Sequence, residues 1–193
     1  MRQSGRRARI LKAAAKLFAD KGYDRTGVRD VAERVGLLSG SLYAHFESKE
    51  EMLFELISRA FDDAIRALTP VIESDLTPPE KLRQAFRVYL RMVSRNYHLS
   101  KILFQWRSLR PPRRERIGAK RVAYGEMWQR IIDDGIMNGD FSGDDPLFAR
   151  ILILSAANWT HTWFRPSGAM SPDEVADRFT DMVLRGLSKR TVA

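Results

Sequence analysis

Apolar residues recur at three- and four-residue spacing along almost the entire chain, and this spacing is the strongest constraint on the fold. Ile10, Ala14, Leu17 and Phe18 form the first such stripe, and the longest lies between residues 53 and 68. A helix places residues three and four apart on one face, so each stripe predicts an amphipathic helix with a buried side. No segment shows the alternation of apolar and polar residues that predicts a strand. The sequence therefore predicts an all-α protein of about nine helices.

Several helix starts are marked by a second, independent pattern. Residues 48–51, 77–80 and 171–174 each begin with Ser or Thr and end with Glu. This is the capping-box pattern, in which the first and fourth side chains accept hydrogen bonds from each other's backbone N–H groups. Asp145 followed by Pro146 predicts a further start, because Pro is favoured in the first helical turn.

The composition is that of a globular protein in a reducing compartment. Hydrophobic residues make up 44% of the 193 residues, and Cys is absent, which excludes disulfides and Cys-based metal sites. No apolar run approaches the ~18 residues that a membrane helix needs, and the basic N-terminus leads into no apolar signal segment. We therefore expect a cytoplasmic protein without membrane association and without a cofactor.

The charge balance favours an anionic partner. The net charge is +9, and the first 50 residues carry eleven Lys or Arg against six Asp or Glu. Residues 101–121 form a second concentration, here called the basic cluster, with eight basic residues and one acidic residue. Such a concentration is typical of proteins that bind nucleic acid or phosphorylated ligands. A merely solvated surface is the plainer interpretation of the basic cluster.

Residues 26–46 have the spacing of a helix-turn-helix. A short apolar stripe over residues 28–35 ends at Gly36, which can adopt the left-handed conformation of a tight turn. Leu37-Leu38 is the expected hydrophobic turn, and the next helix is expected to start near Ser39. This order of elements is the one that DNA-binding proteins use to place a second helix in the major groove.

That second helix, the third in the chain, presents small and polar residues to its outer side. Leu42 and Phe46 anchor it inward, and we expect it to run for about two turns. Its first three residues are small, so the backbone can approach DNA closely, with N–H groups at the positive end of the helix dipole. The expected contacts to phosphate or base edges are Arg29, Ser39, Gly40, Ser41, Tyr43, His45 and Lys49. The alternative is a plain helical hairpin with Tyr and His on its surface.

The run TGVRDVAERVGLLSGSLYAHFESKEEM resembles the N-terminal DNA-binding domain of TetR-family transcriptional regulators. The likeness covers roughly residues 8–55 and includes Arg-Asp before Val-Ala, the Gly turn, Leu-Tyr-Ala-His-Phe and Lys-Glu. It implies a three-helix DNA-binding domain, here residues 1–50, with the same contacting positions. At Gly27 the family usually has Ser or Thr, so we expect Thr26 to supply the hydroxyl contact to DNA instead.

The resemblance also implies that residues 51–193 form a helical ligand-binding and dimerisation domain. Residues 147–164 support this independently, because they are apolar nearly all round and carry Arg150 as their single charge. A helix without a polar face must be covered on every side. Together with a last helix over residues 172–189 it predicts a four-helix interface in a homodimer that binds a palindromic operator. The alternative is two ordinary core helices of a monomer.

Aromatic and polar residues at helical spacing mark the expected ligand site. They are Trp106, Arg107, Arg121, Tyr124, Trp128, Asn158, Trp159, Thr162 and Trp163. Buried polar groups need partners, and a ligand explains the polar members better than core packing does. Beside the basic cluster, such a site suits a coenzyme A thioester, which combines an apolar acyl chain with several phosphate charges.

The segment NWTHTWFRPSGAMSPDEVADRF resembles TetR-like regulators of fatty-acid and steroid-ring catabolism, which respond to acyl-CoA thioesters. Asn158-Trp159, residues 163–166 and Gly168 carry the match, and Phe164 replaces the usual Tyr. The resemblance implies a repressor that an acyl-CoA or related apolar effector releases from its operator. An unrelated apolar effector, such as a xenobiotic, and an effector-independent architectural DNA binder are the alternatives.

An enzyme is not expected from this sequence. It contains no Gly-rich phosphate loop, no Gly-x-Ser-x-Gly elbow and no His-Glu-x-x-His pair. Its three His residues, His45, His98 and His161, are scattered along the chain. The sequence therefore predicts a ligand-responsive DNA-binding regulator.

Overall fold

The computed structural model describes residues 2–142 and 145–187, and this part of the chain is all-helical. Its α-helices are α1 (Arg2–Lys21), α2 (Val28–Arg34), α3 (Ser39–Tyr43), α4 (Lys49–Ile72), α5 (Pro78–Arg95), α6 (Tyr97–Ile102), α7 (Arg113–Met137), α8 (Pro146–Trp163) and α9 (Pro172–Leu187). A 3₁₀ helix, Leu103–Ser108, lies between α6 and α7. The described residues contain no strand, so the predicted all-α fold of about nine helices is confirmed.

The helices form two compact units. Unit 1 comprises the residues up to Phe61 together with residues 98–120, and unit 2 comprises residues 62–97 and those from 121 onward. Helices α4 and α7 each contribute residues to both units. Unit 1 therefore extends beyond the predicted boundary at residue 50 and includes nearly all of the basic cluster. The functional division at residue 50 stays a prediction.

Unit 1 is built on the first apolar stripe. Ile10, Ala14 and Phe18 are completely buried, and Leu42 and Phe46 pack into the same core from the segment that includes α3. Burying each large apolar side chain contributes about 1.5–3 kcal/mol, so these few residues set the position of α3. The predicted inward orientation of Leu42 and Phe46 is confirmed.

Two helix lengths differ from the prediction. α3 ends at Tyr43, because Ala44 is the C-cap and the N–H groups of His45 and Phe46 both donate to the Leu42 carbonyl. The predicted two turns were therefore too long, and Phe46 lies beyond the helix end. α4 continues past the predicted end at Leu68 to Ile72, despite Pro70. Ile72 lies one turn after Leu68 and both are buried, so packing of this face offsets the cost of Pro.

The predicted capping boxes form to different extents. Residues 171–174 form the complete box: the Ser171 N–H donates to Glu174 at 2.7 Å, and the Glu174 N–H donates to Ser171 at 3.2 Å. At Thr77 both the N–H and the hydroxyl donate to Glu80. At residues 48–51 the Glu51 carboxylate accepts from the N–H of residue 47 instead of residue 48. All three segments nevertheless begin helices.

Unit 2 has an aromatic core. The ring of Phe86 on α5 meets the ring of Trp128 on α7 edge-on at 5.3 Å and stacks on Phe179 of α9 at 5.9 Å. Trp128 is completely buried, and Trp163 lies 6.2 Å from Phe179. α5 packs against both α8 and α9. Within residues 2–142 and 145–187, no helix is both long enough and apolar enough to span a membrane.

Candidate nucleic-acid interface

The turn between α2 and α3 is formed by a glycine in a left-handed conformation. Gly36 has φ +70°, a region that residues with a side chain rarely adopt. The N–H groups of Gly36 and Leu37 donate to the carbonyls of Glu33 and Ala32 and so close the end of α2. The chain can therefore reverse directly into α3, as a helix-turn-helix requires.

α3 exposes the small residues that the sequence predicted. Ser39 is half-buried, Gly40 and Ser41 are exposed, and 55% of Tyr43 is exposed. A Cβ atom added at Gly40 would meet no heavy atom within 4 Å. The protein itself therefore leaves open space at this position, and a flat surface such as the edge of a base pair can approach the backbone.

Arg7 on α1 connects the end of residues 39–46, here called the recognition segment, to α4. Its guanidinium donates to the backbone carbonyl of His45 and to the carboxylates of Glu51 and Glu55, and it lies 4.0 Å above the ring of Phe46. These hydrogen bonds, first of all the one to Glu55, raise the pKa of Arg7. Arg7 therefore holds the half-buried His45 at its backbone, a contact that no local sequence pattern predicts.

The start of α2 is capped without a hydroxyl group. The Gly27 N–H donates to the Asp30 carboxylate at 2.6 Å, and the Lys21 ammonium lies 3.1 Å from the other oxygen of Asp30. The Gly27 N–H and Lys21 together lower the pKa of Asp30. Arg29, in the same turn, is exposed. Asp30 thus accepts a hydrogen bond from the free N–H group at the start of α2, and Arg29 remains exposed on the surface.

The expectation that Thr26 contacts DNA does not fit its position. Only 1% of Thr26 is exposed, and its hydroxyl donates to the carbonyls of Gly22 at 2.8 Å and Leu17 at 3.3 Å. A hydroxyl group that is buried and already engaged cannot reach phosphate without opening the core. Thr26 instead connects the loop to the end of α1.

Lys49 also has an internal role. Its Nζ donates to the Tyr23 carbonyl at 2.9 Å and lies 4.3 Å from the centroid of the Tyr23 ring. These contacts fasten the first residue of α4 to the loop between α1 and α2. A contact between Lys49 and phosphate stays a prediction, since the half-buried ammonium has further donor capacity.

The basic cluster belongs almost entirely to unit 1, and three of its residues contact α4. The Arg110 N–H donates to Glu50 at 2.8 Å, the Arg113 guanidinium lies 3.8 Å from Glu50, and Arg116 lies 5.0 Å from the centroid of the Phe54 ring. Trp106 and Arg107, two of the predicted ligand residues, also belong to unit 1. The other seven belong to unit 2.

Three of those seven lie near the aromatic core of unit 2. Tyr124 and Trp128 are buried, and Asn158 accepts a hydrogen bond from the Tyr89 hydroxyl at 3.2 Å. Burial raises the pKa of Tyr124 to about 12 and also raises that of Tyr89. The buried Nε1–H of Trp128 lies next to the Tyr124 hydroxyl, and this neighbour opposes the effect of burial on the pKa of Tyr124. Tyr89 was missed because a Tyr within an amphipathic helix is ordinarily only a core residue.

The remaining four are at the surface. Arg121, Trp159, Thr162 and Trp163 are exposed, and the Thr162 hydroxyl donates to the Trp159 carbonyl in its own helix. The two Trp side chains belong to a wider exposed apolar face of α8. That face consists of Leu147, Phe148, Ile151, Leu152, Trp159 and Trp163. Within the single chain this helix is therefore covered only in part, and its cover by a partner subunit stays a prediction.

The Arg165-Pro166-x-Gly168 segment ends α8 with a turn. The Gly168 N–H donates to the Arg165 carbonyl at 2.8 Å, and a Cβ atom at Gly168 would lie only 3.0 Å from that oxygen. The Arg165 guanidinium donates to the carbonyls of Thr162 and Phe164. These residues therefore have a local structural role that accounts for the motif.

Comparison with known proteins agrees with this geometry. Residues 10–56 match the family described as bacterial regulatory proteins, tetR family, and residues 75–187 match the tetracyclin repressor-like, C-terminal domain. The HTH-type transcriptional repressor KstR2 of Mycobacterium tuberculosis is 31% identical over 193 residues, covering 98% of this chain and 96% of the relative.

Solved structures have the same fold. The ketosteroid transcriptional regulator KstR2 of Mycobacterium tuberculosis superposes with a TM-score of 0.88 at 31% identity, covering 96% of each chain. The TetR-family regulator PfmR from Thermus thermophilus has a TM-score of 0.86 at 38% identity, covering 94% of this chain and all of PfmR. AibR, solved with isovaleryl coenzyme A and operator DNA, has a TM-score of 0.81 at 24% identity, covering 92% of this chain and 97% of AibR, which shows a shared fold.

The geometry and the comparisons agree on one class of protein. The structure has a left-handed glycine turn and a short helix with an exposed face of small residues, and the relatives match over nearly the whole chain. The chain belongs to the TetR family of DNA-binding transcriptional regulators, and it is not an enzyme.

Proposed function

We propose that this protein is a cytoplasmic, homodimeric repressor that leaves a palindromic operator when a small apolar or acyl-CoA-type effector binds in unit 2. One observation carries the DNA-binding part: α3 exposes Gly40, Ser41 and Tyr43 while Leu42 beneath them is completely buried. A rigid anchor with an open outer face is what major-groove readout requires. The repressor assignment follows the whole-length similarity to a relative named as a repressor.

The operator contacts come from the exposed and half-buried predicted residues. Tyr43 and Ser41 face the bases or phosphates, and Arg29 reaches phosphate from α2. Ser39, Gly40, His45 and Lys49 complete the set, and Thr26 is excluded from it. Each cationic contact adds to the salt dependence of binding, because it releases counterions condensed on the duplex.

The exposed apolar face of α8 is the proposed dimer interface. Six large apolar side chains on one helix are too many to leave in water, since exposed patches of this kind mark interaction surfaces. A second copy of the chain covers the same face by two-fold symmetry, and the two copies then supply the two recognition segments of a palindrome. A monomer with a solvated α8 is the alternative.

The effector is proposed to bind near the aromatic core of unit 2. Tyr124 and Trp128 supply a buried hydroxyl and a buried N–H group, and Tyr89 with Asn158 supplies a nearby polar pair. A ligand with an apolar body and a carbonyl acceptor, as in an acyl thioester, suits an apolar core with a few polar groups of this kind. The complex of AibR, a protein of the same fold, with isovaleryl coenzyme A supports the same class. An unrelated apolar molecule is the alternative effector.

The two activities are coupled through helices that belong to both units. α4 is continuous from Lys49 to Ile72, so a shift in unit 2 moves the helix to which the recognition segment is fastened. The effector releases DNA only if it binds the DNA-incompetent form more tightly. A preference of about 1–3 kcal/mol gives a five- to 150-fold change in operator affinity.

Operator binding is tested by fluorescence anisotropy on duplexes that the full-length protein selects from a random library. We expect a palindromic sequence whose affinity falls steeply with salt, and a panel of acyl-CoA thioesters should release it and raise the melting temperature of the protein. Release by none of the thioesters would reject the acyl-CoA assignment alone. Absence of any salt-sensitive duplex binding would reject the regulator itself.

The dimer interface is tested separately by sedimentation equilibrium. Leu152 on α8 and Val122 on α7 are both 59% exposed, so they form a matched pair. We expect Leu152→Asp to give a monomer with weakened operator binding and Val122→Asp to remain a dimer. A dimer in both variants would move the interface away from α8.

A further inference from the structure

Leu38 places a large apolar side chain in solvent at the start of the recognition helix. Its exposed fraction is 81%, whereas its neighbour Leu37 packs against the core of unit 1. Leu38 is the N-cap of α3, with φ −69° and ψ 145°, and its carbonyl accepts from the N–H groups of Ser41 and Leu42. The predicted hydrophobic turn is therefore hydrophobic on two sides, one inward and one outward.

Local stability does not explain a leucine at this position. An N-cap side chain normally accepts a hydrogen bond from a free N–H group of the first turn, and Ser, Thr, Asp and Asn do this best. Leu38 makes no such bond, and its exposure shows that it contributes nothing to the core. Neither helix capping nor burial in the core therefore favours Leu at this position. A stabilising contact of Leu38 must come from a partner that covers it.

The surrounding surface indicates which kind of contact this partner receives. Residues 36–44 contain no charged side chain, so the exposed part of α3 offers hydroxyl groups, backbone, the Tyr43 ring and Leu38. It has no Arg, Lys, Asn or Gln with which to make bidentate hydrogen bonds to a purine. The large apolar group that a base pair presents in the major groove is the C5-methyl of thymine.

We propose that Leu38 packs against the C5-methyl group of a thymine in each half-site and thereby sets a preference for T·A at that position. The inference rests on the proposed function, since it requires operator DNA to cover α3. Removing one buried methyl group is expected to weaken binding about three- to fivefold. With one such thymine in each half-site, the two losses multiply.

The test uses full-length protein and a duplex that it has selected from a random library. Each thymine is replaced in turn by deoxyuridine, which lacks only the C5-methyl group. We expect one thymine per half-site whose replacement weakens wild-type binding about three- to fivefold, the other thymines having little effect. Leu38→Ala should bind the thymine duplex less tightly and should not distinguish the two duplexes.

Two further variants separate recognition from folding. Leu38→Ser adds a capping hydroxyl, so its melting temperature should be equal to or higher than that of the wild type while the methyl preference is lost. Leu38→Met keeps an apolar side chain and should retain the preference. Val122→Ala, an exposed apolar position on α7, should behave as the wild type.

Some outcomes would overturn the proposal. Wild-type protein that binds every deoxyuridine duplex as tightly as the thymine duplex would show that no methyl group is read. Leu38→Ala that keeps the wild-type sensitivity would assign the reading to another residue. In both cases salt-sensitive operator binding persists and the proposed function stands, whereas loss of all duplex binding by the wild type would reject both.

Discussion

Arg87 on α5 holds Asp177 on α9 through two parallel hydrogen bonds, from Nε to Oδ1 and from Nη2 to Oδ2, each 2.9 Å long. This pair is the middle of a ladder in which Arg83 bonds to Asp181 at 2.7 Å and Arg91 bonds to Asp173 at 2.7 Å. The partners on each helix are four residues apart, so all three pairs lie along one line. The ladder fixes the register of α9 against α5.

Removing the middle of this ladder should loosen α9. We expect Arg87→Ala to lower the free energy of unfolding by about 1 kcal/mol, because a bidentate pair in a network is worth more than an isolated surface pair. Urea denaturation measures the change. Arg66→Ala, which breaks the more exposed pair with Asp63, is the matched control and should cost less than half as much. If both variants lose the same free energy of unfolding, the ladder stabilises the protein no more than an isolated surface pair does.

The same ladder makes stability depend on acidity. Arg87 lowers the pKa of Asp177, and Arg91 lowers that of Asp173, from an ordinary value of 3.8. A carboxylate whose pKa is lower in the folded state stabilises the fold above its unfolded pKa, and this contribution is lost as the pH falls through the folded pKa. We therefore expect stability to fall from about pH 5 to about pH 2, and Asp177→Asn to show a shallower fall. If the melting temperatures of the wild type and of Asp177→Asn fall equally with pH over this range, the ion pair of Asp177 does not cause the pH dependence.

The internal role of Thr26 predicts a separation of stability from DNA binding. Thr26→Val should cost about 1 kcal/mol, because the carbonyls of Leu17 and Gly22 lose a buried donor, while Thr26→Ser should restore most of it. At a temperature where both variants are folded, operator affinity should equal that of the wild type. A large loss of affinity in a fully folded Thr26→Val would reinstate the contact with DNA.

Gly135 on α7 is predicted to tolerate no side chain. A Cβ atom there would lie 2.2 Å from the ring of Phe141, which is buried against it. We expect Gly135→Ala to cost about 1–3 kcal/mol through overpacking, although Ala is the better helix former. Gly118→Ala on the same helix meets no atom within 4 Å and should instead stabilise by about 0.5–1 kcal/mol. In the double variant Gly135→Ala with Phe141→Ala the clash is absent. Its loss of unfolding free energy, measured by chemical denaturation, should therefore be smaller than the sum of the two single losses.

Arg7 is expected to matter for both folding and binding. Arg7→Leu should cost about 1.5–3 kcal/mol, since it removes charge-assisted hydrogen bonds to Glu51, Glu55 and the His45 carbonyl. Operator affinity should fall as well, because the end of the recognition segment loses its tether. Arg9→Leu, on the same helix and exposed, is the control and should change stability little. Thermal unfolding and anisotropy together distinguish a loss of fold from a loss of positioning.

Local sequence patterns predicted the helices of this protein well, but they predicted poorly which side chains contact each other. The inward position of Leu42 followed from apolar spacing, and Phe46 is also buried as predicted, although it lies beyond the end of α3. The buried hydroxyl of Thr26 was not predictable, since its partners belong to the end of α1. The exposure of Trp159 and Trp163 was not predictable either, because spacing cannot tell an aromatic residue that faces a core from one that faces solvent.

The sequence by itself determined the helices, the glycine turn and the small residues of α3, since these depend on interactions within about four residues along the chain. Only the tertiary structure decided that Arg7 holds Glu55, 48 residues away, and that Arg87 holds Asp177, 90 residues away. Those pairs form only when packing brings distant faces together, because an isolated arginine or aspartate in solvent has no preferred partner. The same packing turned Leu38 outward and Leu37 inward, and so decided which of two adjacent leucines is available to DNA.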